Sequence, residues 1–236
     1  MRKFVTVLAV CMALALVPAQ AQEVVFQADF QGSAVAEDTT IANVNAGTAV
    51  GSWSNIPDGV VMAEGMAIRE DTGNRALLFD RFEATVGDID AHADFTKSID
   101  RDGAVIEISV SLLRTSAVEK NVFISGRDAA GNKSFEVVLS ALNNGDPAVP
   151  EARRIGYVNG SGATVMVPQG VPDELTGGGQ VGQPNPDNFN QLIITCGPTG
   201  YVIQHNARPT VASWTSDTLP YAGNATDIVY LNIQGT

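Results

Sequence analysis

Residues 189–206 read FNQLIITCGPTGYVIQHN, two runs of β-branched and aromatic residues separated by Gly197, Pro198, Thr199 and Gly200. Branched and aromatic side chains suit a pleated surface, and Gly with Pro supplies the backbone angles of a tight reversal. The stretch therefore predicts a two-stranded hairpin. Alternation puts Leu192, Ile194 and Cys196 on one face of the first arm and Ile193 and Thr195 on the other. The orientation of those faces decides whether Tyr201 and His205, or Gln204 and Asn206, can meet a ligand.

Outward from this hairpin, strand-like segments recur through the chain, at 23–30, 47–54, 75–79, 104–113, 121–127, 134–141, 153–158, 164–167, 190–196, 201–205 and 228–234. No segment shows helical periodicity, and the fold class expected is all-β. In residues 104–113, Ile106, Ile108, Val110 and Leu112 form an apolar face, while Val105, Glu107, Ser109 and Ser111 form a mixed one, as a strand covering a core on one side requires. A second hairpin is expected at 121–141, closed by Asp128, Ala129, Ala130, Gly131 and Asn132. That loop loosely resembles an oxygen-rich calcium loop, but these residue types are what a hairpin turn also selects. The stretch 168–188, PQGVPDELTGGGQVGQPNPDN, is too rich in Pro and Gly for regular structure and is expected to be a long surface loop.

The N-terminus has the form of an export signal: Arg2 and Lys3, an apolar run over 4–17, then Ala19-Gln20-Ala21 as a small-residue cleavage site. About 14 apolar residues fall short of the ~20 that a membrane-crossing helix needs, so residues 1–21 are expected to be removed. Residues 22–236 then make one β-domain, placed outside the cytoplasm as a secreted, periplasmic or cell-surface protein. With Cys11 gone, Cys196 is the only cysteine and no intrachain disulfide can form, which leans towards a bacterial source. Removing Arg2 and Lys3 leaves 12 basic residues against 26 acidic ones, a net charge of −14. A chain so acidic is repelled by nucleic acid and by anionic membrane surfaces.

Asp29-Phe30 at the end of the first strand, Gly51-Ser52-Trp53-Ser54, and the 189–206 hairpin followed by Trp214 together resemble the concanavalin A-like lectin/glucanase jelly rolls. Within that group the chain looks most like the laminin-G-like domains of exported bacterial proteins. A line of Phe189, Asn190, Leu192, Ile194, Gly200, Tyr201, Ile203 and Asn206 is similar to one that crosses the middle of a sheet in that family. The resemblance implies a two-sheet antiparallel jelly-roll sandwich and a structural calcium ion near the first and last strands, here Asp29 and Asp227. Family members usually continue beyond a segment like 228–234 with a strand that returns beside the first. Either the segment 228–234 already plays that part, or the sequence is a fragment lacking a final strand.

Enzymatic chemistry finds little support in the sequence. Jelly-roll glucanases use Glu-x-Asp-x-x-Glu, which is absent; Asp88 and Asp90 form a pair without a third acid, in what reads as a loop, and Glu107 and Glu136 stand singly. There is no Gly-x-Ser-x-Gly elbow, and His92 and His205 are the only histidines. His205 with Tyr201 has the residue types for proton abstraction by a polysaccharide lyase, but a base also needs neighbours that tune its pKa. Zinc lacks a Cys or His cluster, and Cys196 reads as a buried apolar thiol.

Glycan binding needs an aromatic plane for the sugar's apolar face and polar groups for its hydroxyls. Trp53, Trp214, Tyr157, Tyr201 and Tyr221 are the planes, with Trp53 assigned to the core and Trp214, in a polar segment, to an exposed platform. Trp214, Tyr201, Gln204, His205 and Asn206 are the ligand-binding candidates, with Asn190 a nearby amide. The function expected is a non-catalytic glycan-binding or adhesion module. The contrasting readings are a polysaccharide-degrading hydrolase or lyase and a purely structural envelope or matrix domain.

Overall fold

The computed structural model describes residues 23–36, 39–55, 66–71, 73–79, 89–110, 120–141, 154–168, 190–207 and 212–235. The export signal, Asp88, Phe189 and all but the first residue of the Pro- and Gly-rich loop lie outside these residues. The described strands are β1 (Gln27–Ala28), β2 (Thr48–Val50), β3 (Ser52–Ser54), β4 (Met66–Asp71), β5 (Asn74–Phe79), β6 (Ile89–Asp100), β7 (Val105–Val110), β8 (Lys120–Arg127), β9 (Lys133–Ala141), β10 (Arg154–Val158), β11 (Thr164–Met166), β12 (Asn190–Cys196), β13 (Tyr201–His205), β14 (Trp214–Thr215) and β15 (Asp227–Gly235). One short helix, α1 (Ile41–Ala46), precedes β2.

Every pairing among the described strands is antiparallel. A seven-stranded sheet runs β11-β10-β9-β8-β15-β6-β3, a four-stranded sheet runs β14-β13-β12-β7, and β1-β2 and β4-β5 form two small ribbons. The two larger sheets share one apolar core, a sandwich-like arrangement. Ala91, Ile124, Phe135, Val137, Leu139, Ile155 and Ile228 from the larger sheet meet Ile106, Leu192, Ile194, Cys196, Tyr201 and Ile203 from the smaller one. Full burial of each large aliphatic or aromatic side chain contributes about 1.5–3 kcal/mol, so this shared set holds the sheets together.

The expected hairpins form where the turn chemistry puts them. In β12 and β13, Leu192 faces His205, Ile194 faces Ile203 and Cys196 faces Tyr201, and all six are buried. Burial pushes the Cys196 thiol up to about 11, the inert state expected of it. The Asp128 carboxylate closes the β8–β9 turn by accepting from the N–H groups of Ala130 and Asn132 and from Asn132 Nδ2. Those bonds, led by that of the Asn132 side chain, hold its carboxyl below the usual value, so turn formation accounts for this residue.

The expected strand 47–54 is divided at Gly51 (φ 79°), where β2 leaves β1 and β3 joins β6. A Cβ there would lie 2.4 Å from the Asp94 carbonyl oxygen, so the crossing needs glycine. In α1, the Thr40 hydroxyl accepts from the Asn43 N–H as an N-cap and Val44 is fully buried; six residues are too few to show a period in the sequence. The last described strand, β15, lies between β6 and β8, while β1 pairs with β2. β15 therefore does not return beside the first strand.

Candidate functional site

The outward face of the seven-stranded sheet brings several polar and charged side chains together, and β6 is its least expected part. Its alternation sends Ala91 and Ala93 into the core and leaves Asp90, His92 and Asp94 on the opposite face. In β15, Leu231 faces the core, so Tyr230, Asn232 and Gln234 face outward; in β8, Ile124 faces the core, so Phe123, Ser125 and Arg127 face outward. Register then sets three rows across the strands. One runs Asp90–Gln234–Phe123–Val138, the next Ser54–His92–Asn232–Ser125–Glu136, and the third Ser52–Asp94–Tyr230–Arg127–Lys133.

Hydrogen bonds fix most of these groups. Asn232 Nδ2 donates to Asp90 Oδ1, and Asn55 Nδ2 donates to the Asp90 carbonyl at 3.1 Å and to its Oδ2 at 3.2 Å. His92 Nε2 lies 3.6 Å from Asp90 Oδ1, and its ring stacks on Tyr230 with centroids 4.4 Å apart at 28°. Arg127 Nε donates to Ser125 Oγ and its Nη1 to the Gly131 carbonyl, each at 3.0 Å. Glu136 is buried and accepts from Lys133 Nζ. Burial raises the Tyr230 hydroxyl pKa above its ordinary value; Arg127 opposes the shift, and the carboxylates of Asp90, Asp128 and Asp94 add to it. The stacked rings of Tyr230 and His92, the partly exposed carboxylates of Asp90 and Asp94, the Gln234 amide and the Arg127 guanidinium thus occupy neighbouring positions on one face, while Asn232, Ser125 and Glu136 in the middle row are buried.

The five ligand-binding residues expected from the sequence do not share one surface. Tyr201 is 1% exposed and donates its hydroxyl to the Glu136 carbonyl of the opposite sheet at 3.1 Å. His205 is fully buried, its Nε2 2.9 Å from Asn190 Oδ1. Trp214 lies opposite His205 in the ladder, packs on the core and stacks on the His205 ring at 5.5 Å and 7°, so it covers the edge of the core instead of standing as a free platform. Gln204 faces outward, donating to Asn206 Oδ1 at 3.2 Å, while the Asn206 N–H donates to the Gln191 carbonyl at 3.0 Å. Trp53 is buried, as its core assignment requires.

Asp29 and Asp227 stand on separate elements. Asp29 Oδ1 accepts from the Gln31 N–H, and Asp227 Oδ2 accepts from Ser98 Oγ, both at 3.0 Å. Among the described residues no three His, Cys, Asp or Glu side chains gather to hold a metal. Calcium takes six to eight oxygens, so an ion at either aspartate would draw its remaining ligands from carbonyls and water.

Sequence reasoning missed Asp90, His92, Asp94, Arg127, Tyr230 and Asn232 as a set. The available signal was the alternation of Asp90, His92 and Asp94 with Ala91 and Ala93. It was masked because Ala and Asp are poor strand formers. In comparisons with known proteins, the chain matches no family model, no curated protein and no solved structure.

Proposed function

We propose that the chain is an exported, non-catalytic glycan-binding module, and that the outward face of the seven-stranded sheet is its binding surface. The observation that carries this reading is the Tyr230–His92 stack with Asp90, Asp94 and Gln234 around it. An aromatic plane packs against the apolar face of a sugar ring, while carboxylates and amides bond to its hydroxyls. The outward face of the smaller sheet offers amides at Gln191 and Gln204 but no ring among its described residues. A concanavalin A-like jelly roll is the finer topology proposed, on the strength of the residue pattern that the β12–β13 hairpin carries through the smaller sheet.

Retention on a panel of immobilised neutral and acidic polysaccharides tests the reading. Tyr230→Ala and His92→Ala are each expected to weaken retention about tenfold or more, the effect of truncating a residue that carries much of the binding energy. Unchanged retention in both variants discards the surface. Release of reducing ends by the unaltered protein, measured beside retention, would replace binding with hydrolysis.

Structural calcium at Asp29 and Asp227 belongs to the same proposal. A ligand held only by the folded state raises its stability, so calcium should raise the melting midpoint and Asp227→Asn should remove the rise. Identical midpoints in calcium and in chelator eliminate the ion.

A further inference from the structure

Arg127 differs from Lys133, Lys97, Arg75 and Arg101 in what it touches. Lys133 donates to Glu136, Lys97 to Glu23, Arg75 to Glu70, and the Arg101 guanidinium lies 3.7 Å over the Tyr221 ring. Among the described residues, Arg127 has no carboxylate within ion-pair distance and no ring beneath it, in a chain where 26 acidic residues outnumber 14 basic ones. Its guanidinium is nonetheless held in place, because Nε donates to Ser125 Oγ and Nη1 to the Gly131 carbonyl. Those two bonds leave one N–H of Nη1 and both of Nη2 uncommitted, so Nη1 and Nη2 together can still form a planar fork. Such a fork matches the two oxygens of a carboxylate or sulfate.

The position of Arg127 gives that fork a purpose. It is the ladder partner of Tyr230, whose other partner is Asp94, so guanidinium, ring and carboxylate lie in one row across three strands. Adjacent strands are about 4.8 Å apart, which puts Arg127 and Asp94 about 10 Å apart with Tyr230 between them and His92 beside Asp94 on β6. That span suits one or two sugar rings, with hydroxyls donating to Asp94 at one end and an oxyanion accepting from Arg127 at the other.

We infer that the surface is built for an anionic polysaccharide, with Arg127 holding a carboxylate or sulfate group on a sugar that rests against Tyr230. This rests on the glycan-binding reading above and adds the chemical class of the ligand. Binding would be neutral pairing at one residue, against the general repulsion of a polyanion by an acidic protein.

Polygalacturonate, the same polymer after reduction of its carboxyl groups, and dextran sulfate are the three probes, with affinity measured for the unaltered protein, Arg127→Gln and Arg127→Lys. The unaltered protein should bind polygalacturonate or dextran sulfate about tenfold or more tightly than the reduced polymer, the scale of a charge-assisted bidentate pair. Arg127→Gln should abolish that preference while keeping affinity for the reduced polymer. Arg127→Lys retains the charge without the fork and should show an intermediate preference at an unaltered melting midpoint, which separates recognition from folding. The polymer preferred assigns the oxyanion as carboxylate or sulfate. Equal affinity for the charged and reduced polymers overturns the inference and leaves glycan binding standing. A preference for polyanions that survives in Arg127→Gln also overturns it, because the attraction is then diffuse. Binding to none of the three removes both readings.

Discussion

The outward faces of both sheets carry polar residues and are unlike in what those residues have left to offer. On the smaller sheet, Gln204, Asn206 and Gln191 link to one another, and Val202, Ile193 and the exposed Val105 share their face. On the larger sheet, Tyr230 and His92 present a stacked pair, and Asp94 and Arg127 flank Tyr230 on the neighbouring strands. Polarity alone therefore does not distinguish a binding face from a solvated one. The distinction lies in rings placed beside charged groups that the fold has oriented but not neutralised.

The largest effect that would sharpen this comparison lies beneath the smaller sheet. Tyr201→Ala removes a ring packed at 1% exposure and the hydroxyl bond between the sheets, and should lower unfolding free energy by about 3–5 kcal/mol in a denaturant titration. Its outward neighbour sets the scale: Gln204→Ala should fall within about 0.5 kcal/mol. A Tyr201→Ala loss as small as that of Gln204→Ala would break the assignment of inner and outer faces.

Trp214→Ala comes next. The ring packs on the core and on His205, so the variant should lose about 1–3 kcal/mol of stability while keeping polysaccharide retention. Lost retention with unchanged stability would restore the exposed platform that the sequence alone suggests and move the binding surface to the edge of the smaller sheet.

The elements legible in the sequence are those whose side chains match the strand they form. Ile193, Ile194 and Thr195, or Val137, Val138 and Leu139, announce a pleated surface by type and alternation. β6 does not, because its core-facing positions include Ala91 and Ala93 and its outward positions are charged or polar. Its strand state comes from the ladders to β15 and β3, a tertiary effect that local preference does not carry. The same reason hid the candidate site. His205 and Tyr201 sit in an obvious hairpin and drew attention, whereas His92 and Tyr230 become neighbours only when residues far apart in sequence enter one register. Trp214 was misleading because composition around it is polar, while its direction is set by pairing with His205.

The place of β15 has a consequence for how the molecule comes into being. Residues 227–235 insert between β6 and β8, so until they are available the larger sheet exists as two unjoined parts. Asp227 must find Asp100, and contacts over such a separation close slowly because a long loop has to be ordered first. The Tyr230–His92 pair comes together in that same step. The pairing that joins the two parts of the sheet is thus the same one that creates its outward site, and a chain without residues 227–235 would have neither.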